Sequence, residues 1–554
     1  MVAAGSEFDS IVKDFKWEIP DNFNIAWAIC GRHAVAAPNS PAVITCPEAE
    51  GTERTVTSFA QLQQGVDRVV RGFQRLGVRP GDRVAMQMDQ GVPALEVFIA
   101  ALHMGAIAVP IPPTFGRDAV IYRLRDAGVK LLVVDDAAAA AVVPAHLLAD
   151  LPGLVLIRVT GDRGAFSDDE FGDEGPAPHV ECAPTAASDP AIIFYTSGST
   201  GNPKGVLHAH RLLLGHIPGF QLMFNFAPEP NDVLWTPSVW SWQGSLGDLV
   251  MPSMYFGCAV VASPGRFSVR RMWRVMREAG VTRAFMATAV LRHLIKDEVA
   301  AGLKWPTLRA ICTGGDPLTA ELQERVNVMF GVHVNDDYGL TETSHIAGGC
   351  AVQFSTPPGA IGRIMPGRRV AILDEELNTV PNGTVGQIVS SADDPITMLR
   401  YWGKPVATAE RIHPSGWCLT SDLGMLDSNN ILWFKGRMSL TIKVSGQAVG
   451  PEEIEACLSE HPDVSEVVVF GEPHRVKGEV PVAVVELVSG SSYGAGGSDV
   501  LVEELRQLAK SKLARFAYPE RIVFSPIPRN SNGKVDRRET RTAFMNVPVL
   551  KGKL

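Results

Sequence analysis

The sequence predicts an α/β protein: a large N-terminal domain of layered α/β subdomains with parallel sheets, then a small α+β lid domain. Three observations carry this reading. Short apolar or β-branched runs alternate with helical patterns, which implies parallel strands covered by helices on both faces. The composition changes after Gly436. The 554 residues exceed what one hydrophobic core usually organises. Hydrophobic residues make up 46% and charged residues 20%, which suits a globular chain and excludes a disordered one.

Taken in order, Arg83–Met86 reads as a strand and Ala94–Met104 as a helix. Leu131–Asp135 (Leu-Leu-Val-Val-Asp) reads as a buried strand. Ala137–Ala149 is Ala-rich and reads as a helix that Pro144 must start or interrupt. Leu154–Val159 and Ala191–Tyr195 are strands, and the acidic, Gly- and Pro-rich Phe166–Pro184 is a surface loop. After Gly436, Pro451–Ser459 starts a helix, with Pro in the first turn and acidic residues at its positive end. Val464–Phe470 and Val480–Leu487 are strands, Ser489–Ser498 is a Gly/Ser-rich loop, and Val500–Leu513 is an amphipathic helix. The expected division is residues 1–436, a hinge at 437–440 and a lid over 441–554.

Fifty-one basic residues against 60 acidic give a net charge of −9, which argues against a dedicated nucleic-acid binder. It leaves room for a small anion held by a few local donors. The eight cysteines show no CxxC and no zinc spacing, so they read as reduced thiols of a cytoplasmic protein. The N-terminus lacks a basic and then apolar leader. The longest apolar stretch, Leu95 to Pro112, is interrupted by Glu96, His103 and Pro110, so no membrane span is expected.

The most informative segment runs from Tyr195 to His210, directly after the strand Ala-Ile-Ile-Phe-Tyr. Thr196, Ser197, Ser199 and Thr200 sit among Gly198, Gly201 and Gly205, with one cation, Lys204. Glycines let backbone N–H groups approach an anion, hydroxyls add donors, and the lysine adds a point charge. That is the requirement of a polyphosphate cradle. It is not a Walker A loop, because Lys204 follows Pro203 and precedes Gly205. A kinase reading, with ADP as product, has no matching lysine motif either.

Six further motifs follow in order: Gly314-Gly-Asp-Pro317, Tyr338-Gly-Leu-Thr-Glu342, Gly362-Arg-Ile-Met-Pro-Gly367, Gly416-Trp-Cys-Leu-Thr-Ser-Asp422, Gly436-Arg437 and Asn532-Gly-Lys534. Together with the cradle they resemble the adenylate-forming superfamily: acyl- and aryl-CoA synthetases, luciferases and peptide-synthetase adenylation domains. The resemblance spans nearly the whole chain.

It implies that ATP and a carboxylic acid form an acyl-adenylate, that coenzyme A then takes the acyl group, and that Mg2+ assists. Thr196, Ser197, Gly198, Ser199, Thr200, Gly201 and Lys204 would hold the β- and γ-phosphates. Glu342 would hold Mg2+ through a hard oxygen, and Thr341 would donate to the α-phosphate. Asp422 would accept from the ribose hydroxyls, assisted by Arg437. Tyr338 would stack on adenine, with Gly314, Gly315, Asp316, Asp336, Asp337 and Gly339 around the base. Lys534 would bridge the carboxylate and the α-phosphate. Lys443, Ser445 and Gly446 would enter the site for thioester formation after the lid swings about its hinge.

The sequence departs from the family pattern at Ser439, where Asp is usual, at Ser421, where Gly is usual, and at Gln447-Ala448, where an arginine pair member is missing. Ala287-Thr288-Ala289 stands in place of an Ala-Pro turn beside the acyl pocket. None of these removes a group that the chemistry requires.

Trp235, Trp240 and Trp242 fall where the family places its aromatic gate and acyl-pocket wall. Acetate-specific relatives resemble this chain with a bulky Trp at the place of Gly339, so glycine implies a larger acid: medium-chain, branched or aromatic. The chain ends twenty residues past Lys534, so no fused carrier is expected and coenzyme A is the expected acceptor. The alternatives are a stand-alone adenylation protein that loads a separate carrier, and a non-catalytic ligand-binding relative. The latter predicts loss of Lys534, Glu342 or Asp422, all of which are present. The oligomeric state, homo-oligomer included, is open.

Overall fold

In the computed structural model, which describes residues 7–136, 151, 153–159, 179–196, 202–295, 305, 307–445, 447–488, 490–493, 499–529 and 535–545, the expected alternation of strands and helices builds parallel sheets. The expected helix Ala137–Ala149 and most of the loop Phe166–Pro184 lie outside the described residues. The chain divides into two compact units, Met1–Val370 with Val389–Leu419, and Ala371–Ile388 with Thr420–Leu554.

The first unit carries a seven-stranded sheet. Its strand order is Arg400–Tyr401, Lys204–Ala209, Pro190–Thr196, Ile107–Ile111, Arg83–Gln87, Leu131–Asp135 and Val155–Val159. The last five pair in parallel. Leu131–Leu132–Val133–Val134 are buried, as expected of a strand flanked by neighbours and covered on its faces. Pro190–Thr196 and Lys204–Ala209 form an antiparallel hairpin, so the cradle segment is the connection of that hairpin. The helix Val92–His103 has Pro93 in its first turn, where its missing N–H costs nothing.

A second run of strands in the same unit is parallel from Pro41–Thr45 through Ala259–Ala262, Val233–Trp235, Arg283–Phe285, Ala310–Gly314 and Val334–Leu340. There the direction reverses: Ser344–Gly348 returns antiparallel beside Val334–Leu340. The reversal puts Thr341 and Glu342 in a tight turn at the end of a parallel strand. Such ends are where open α/β sheets bind ligands.

In the second unit, which takes the strand Trp417–Leu426 from Thr420 onward, Asp422 to Leu426 run antiparallel to Ile431–Arg437, with Asp422 opposite Arg437. A five-stranded sheet follows, and the helices Pro451–Leu458 and Asp499–Lys512 bury Ile454, Leu458, Leu501 and Leu505 in its core. The strand Val464–His474 outruns its expected end at Phe470, because Gly471 to His474 keep pairing with Pro481 to Gly478. Glu472, Pro473 and His474 hide that extension from a hydrophobicity pattern.

One buried carboxyl makes stability depend on pH. Glu96 sits on the helix Val92–His103 against Gly65, and burial pushes its pKa up to about 7, with Arg68 opposing. Its folded pKa exceeds its unfolded value, so the neutral form favoured by folding is lost as pH rises from about 4.5 through 7. Glu96→Gln should therefore raise the melting temperature at pH 8, by about 1–3 kcal/mol of stability, and do little at pH 5. Thermal unfolding of both proteins at the two pH values checks this. An equal shift at both pH values would refute it.

Candidate active site

The hairpin that carries the cradle brings its two ends together. Thr196 closes the strand Pro190–Thr196 and pairs across to Lys204, and its Oγ1 lies 3.5 Å from the Lys204 carbonyl. Ser197, Gly198, Ser199, Thr200 and Gly201 lie outside the described residues. The Lys204 Nζ sits over the ring of Tyr401, 5.1 Å from its centroid.

Tyr401 links that lysine to the turn after Val334–Leu340. Its hydroxyl donates to Glu342 Oε1. Arg411 Nε donates to the same phenol oxygen at 3.1 Å, and Arg411 Nη2 stands 3.7 Å from Glu342 Oε1. Glu342 is only 6% exposed. Burial and the neighbouring carboxylate push the Tyr401 pKa upward, so the phenol stays protonated and donates. Burial opposes charge on Arg411, but Glu342 and Tyr401 outweigh it and raise its pKa. The Thr341 carbonyl is held by His208 at 2.8 Å, and the Glu342 carbonyl accepts from the Met398 N–H at 2.8 Å. Lys204, Thr341 and Glu342, far apart in sequence, thus share one neighbourhood. Tyr401 and Arg411 were not foreseen, since no local spacing joins either to Glu342.

The residues expected around the base also converge. Gly314 pairs with Asp337, and a Cβ on Gly314 would lie 2.8 Å from the Asp337 carbonyl. Gly315 has φ of +91°, which suits glycine alone. The Asp316 carbonyl accepts from Thr288 Oγ1 at 3.0 Å, in the helix Thr288–Leu294 that Ala287 precedes. Tyr338 is half-buried on the strand Val334–Leu340. Burial, reinforced by Asp337, pushes the Asp336 carboxyl well above its usual range. The carboxylate of Asp337 turns to His345 Nδ1 at 2.9 Å. A Cβ at Gly339 would fall on the carbonyl oxygen of Ser344, so the close return of the chain requires glycine there.

The three tryptophans separate. Trp235 is 1% exposed, donates from Nε1 to Ser263 Oγ at 3.0 Å, and packs with Met272, Met276 and Ala284. Trp240 is buried in a different core cluster. Trp242 is half-buried against that cluster, its ring centroid 5.6 Å from that of Phe285.

In the second unit, Asp422 is 4% exposed and its Oδ1 lies 3.6 Å from Arg437 Nε. The preceding Ser421 has φ of +64°, a left-handed conformation that explains glycine as the usual residue there. Gly436 also has a positive φ, +113°, and Met438–Leu440 form a short 3-10 turn inside this unit. Lys443 is exposed in Ile442–Val444, its backbone N–H donating to Glu479 at 2.9 Å, and Ser445 follows with φ of +50°. Gly446 and Lys534 lie outside the described residues, and Arg529 and Val535 are bridged antiparallel. All eight cysteines are unpaired. Among the described residues no helix is long and apolar enough to cross a membrane.

A family model described as AMP-binding enzyme matches residues 30–402, and one described as AMP-binding enzyme C-terminal domain matches residues 453–534. The chain belongs to the AMP-binding enzyme family, the adenylate-forming class whose members include AMP-forming acid–thiol ligases. It is 30% identical to a fatty acid–[acyl-carrier-protein] ligase, ScoC, of Streptomyces coeruleorubidus, over 92% of this chain and 95% of that one. It is 28% identical to an acetyl-coenzyme A synthetase of Bacillus subtilis (strain 168), over 95% of this chain and 91% of that one. The anthranilate CoA ligase AuaEII, solved with anthranoyl-AMP, superposes with a TM-score of 0.85 over 95% of this chain and 98% of that one. At 23% identity that likeness shows the fold.

Proposed function

We propose that the protein joins a medium-chain, branched or aromatic carboxylic acid to coenzyme A through an acyl-adenylate, releasing AMP and pyrophosphate. The observation that carries this is the grouping of Lys204, Tyr401, Glu342 and Arg411 beside Thr341 at the end of a parallel strand. Such a grouping suits a polyphosphate. The carboxylate oxygen of the acid attacks the α-phosphorus, and the bond to pyrophosphate breaks. The thiol sulfur then attacks the acyl carbonyl, and AMP leaves.

Lys204, with the hydroxyls and glycines from Thr196 to Gly201, would neutralise the β- and γ-phosphates. Thr341 would donate to the α-phosphate, and Lys534 would hold the two anions together until the new bond forms. Asp422 would take the ribose hydroxyls, beside Arg437. Tyr338 would cover the base between Gly314–Asp316 and Asp336. Lys443 and Ser445 would serve the thioester step after rotation about 437–440, between a domain 1–436 and a lid 441–554.

A single buried carboxylate fits Mg2+, which takes one or two carboxylates and fills its remaining positions with phosphate and water. Glu342 is that carboxylate, with Tyr401 fixing one of its oxygens. When bound, the ion would spread the charge of the leaving pyrophosphate.

The acid class is supported by Gly339, expected at the acyl pocket, where a side chain would meet the Ser344 carbonyl and none can close the space. A second reading, transfer to the thiol of a carrier protein, is favoured by the likeness to ScoC. AMP release from ATP and Mg2+ over acetate, butyrate, octanoate, benzoate and hydroxybenzoates, with and without coenzyme A, tests both. The ligase predicts CoA-dependent AMP with one of the larger acids. Pyrophosphate exchange that coenzyme A never accelerates would favour carrier loading, and acetate as the best acid would overturn the acid class.

A further inference from the structure

Between the strands Val334–Leu340 and Ser344–Gly348 the chain makes a four-residue turn, Leu340 to Thr343, closed by the Thr343 N–H on the Leu340 carbonyl at 3.1 Å. Its central peptide joins Thr341 to Glu342. The two common forms of such a turn differ by a flip of this peptide, which exchanges its C=O and N–H faces. One form needs a positive φ at the third residue, here Glu342. The left-handed residues include Ser344, with φ of +46°, but not Glu342.

His208 grips that peptide. Its Nε2 lies 2.8 Å from the Thr341 carbonyl. A carbonyl only accepts, so Nε2 carries the proton. The ring is 0% exposed, and burial lowers its pKa to about 3, so it is neutral and has a single N–H to give. The other nitrogen, Nδ1, makes no hydrogen bond. An unmatched buried nitrogen costs stability, and an apolar side chain would fill the same space without it.

The strand Lys204–Ala209 carries the whole arrangement. Lys204, Val206 and His208 share one face, because side chains alternate along a strand. Tyr401, which donates to Glu342, pairs with Val206 and so stands on that face too. The strand therefore holds the turn at two points, the Thr341 carbonyl and the Glu342 carboxylate, with Lys204 at its start. The Glu342 carbonyl is occupied as well, by the Met398 N–H at 2.8 Å. The Thr341–Glu342 peptide is trans, so its C=O and N–H point in opposite directions. With the carbonyl drawn against His208, the Glu342 N–H faces away from that ring.

We infer that His208 is a positioning residue for adenylate formation, holding the Thr341–Glu342 peptide with its carbonyl turned from the α-phosphate and the Glu342 N–H turned toward it. The inference rests on the ligase reading above and deepens it. A carbonyl oxygen facing the phosphorus would add negative charge where negative charge accumulates, and an N–H offsets that charge. His208 acts through the peptide and touches no substrate.

The test is ATP–pyrophosphate exchange by the full chain with Mg2+ and the best acid of the panel above. The proteins compared are the parent, His208→Leu, His208→Met and His208→Gln. The two apolar variants remove the donor and keep bulk, and His208→Gln returns an N–H at similar reach. In the apolar variants kcat should fall by about 10²-fold, the scale of losing one preorganised donor. KM for ATP and for the acid should stay within about threefold, because those groups are held elsewhere in the ground state. His208→Gln should recover at least about tenfold of the lost rate. Apolar variants with the parent's kcat would overturn the inference. So would equal losses in all three variants, a loss confined to KM, or disappearance of the native melting transition in both apolar variants. Each of these leaves the ligase reading standing. A parent chain that exchanges pyrophosphate with no acid of the panel would sink that reading, and this inference with it.

Discussion

Glu342→Gln is expected to lower the rate of adenylate formation by about 10²–10³-fold, the scale of losing one preorganised charge-stabilising group. The carboxylate is buried, and its Oε1 already accepts from Tyr401. An amide keeps that acceptor and the shape of the turn, so the loss falls on charge and not on packing. Two consequences follow. The Mg2+ concentration for half-maximal activity should rise by about tenfold or more, because an amide oxygen is a far weaker ligand for a hard cation. Arg411, 3.7 Å away, should also lose its counter-charge. Tyr401→Phe is the control, since it removes a hydrogen bond and leaves the carboxylate, and it should cost less than about tenfold. ATP–pyrophosphate exchange against Mg2+ concentration measures all three proteins. Exchange within threefold of the parent, with unchanged Mg2+ dependence, would remove Glu342 from the proposed metal role.

Lys534→Ala should separate the two half-reactions. Its proposed task is to hold the carboxylate and α-phosphate together, two anions whose repulsion opposes the first step and is absent from the second. Adenylate formation should fall by at least about 10²-fold. Thioester formation from a presynthesised acyl-adenylate and coenzyme A should stay within a few-fold of the parent. Rapid-quench measurement of each half-reaction decides the matter. An equal loss in both would point to a damaged fold, and no loss in either would remove Lys534 from the proposed role.

Much of this was legible in the chain itself. The strands Leu131–Asp135 and Pro190–Thr196 announce themselves because both faces of a parallel strand are buried, leaving a run of apolar residues. The string of glycines and hydroxyls after Tyr195 stands out in the sequence because anion binding by backbone needs such residues close together. Ser421 could be marked as a departure from glycine, and its φ of +64° gives the reason glycine is usual. The strand end at His474 was not legible, since edge pairing through Glu472 and Pro473 leaves no hydrophobic period.

The sequence by itself determined the class of this protein: its α/β alternation and its ordered motifs. These depend on residues near one another along the chain, where conformational preference and spacing act directly. Only the tertiary structure decided the company those residues keep. It set Tyr401 and Arg411 against Glu342, sent Trp235 into a core apart from Trp240, and gathered His216, Asp248 and His345 beside Gln243. Pairing of the strand Arg400–Tyr401 with Lys204–Ala209, and the antiparallel return at Ser344, impose those meetings. They are contacts between distant segments, fixed by strand order and close packing, which local spacing does not encode.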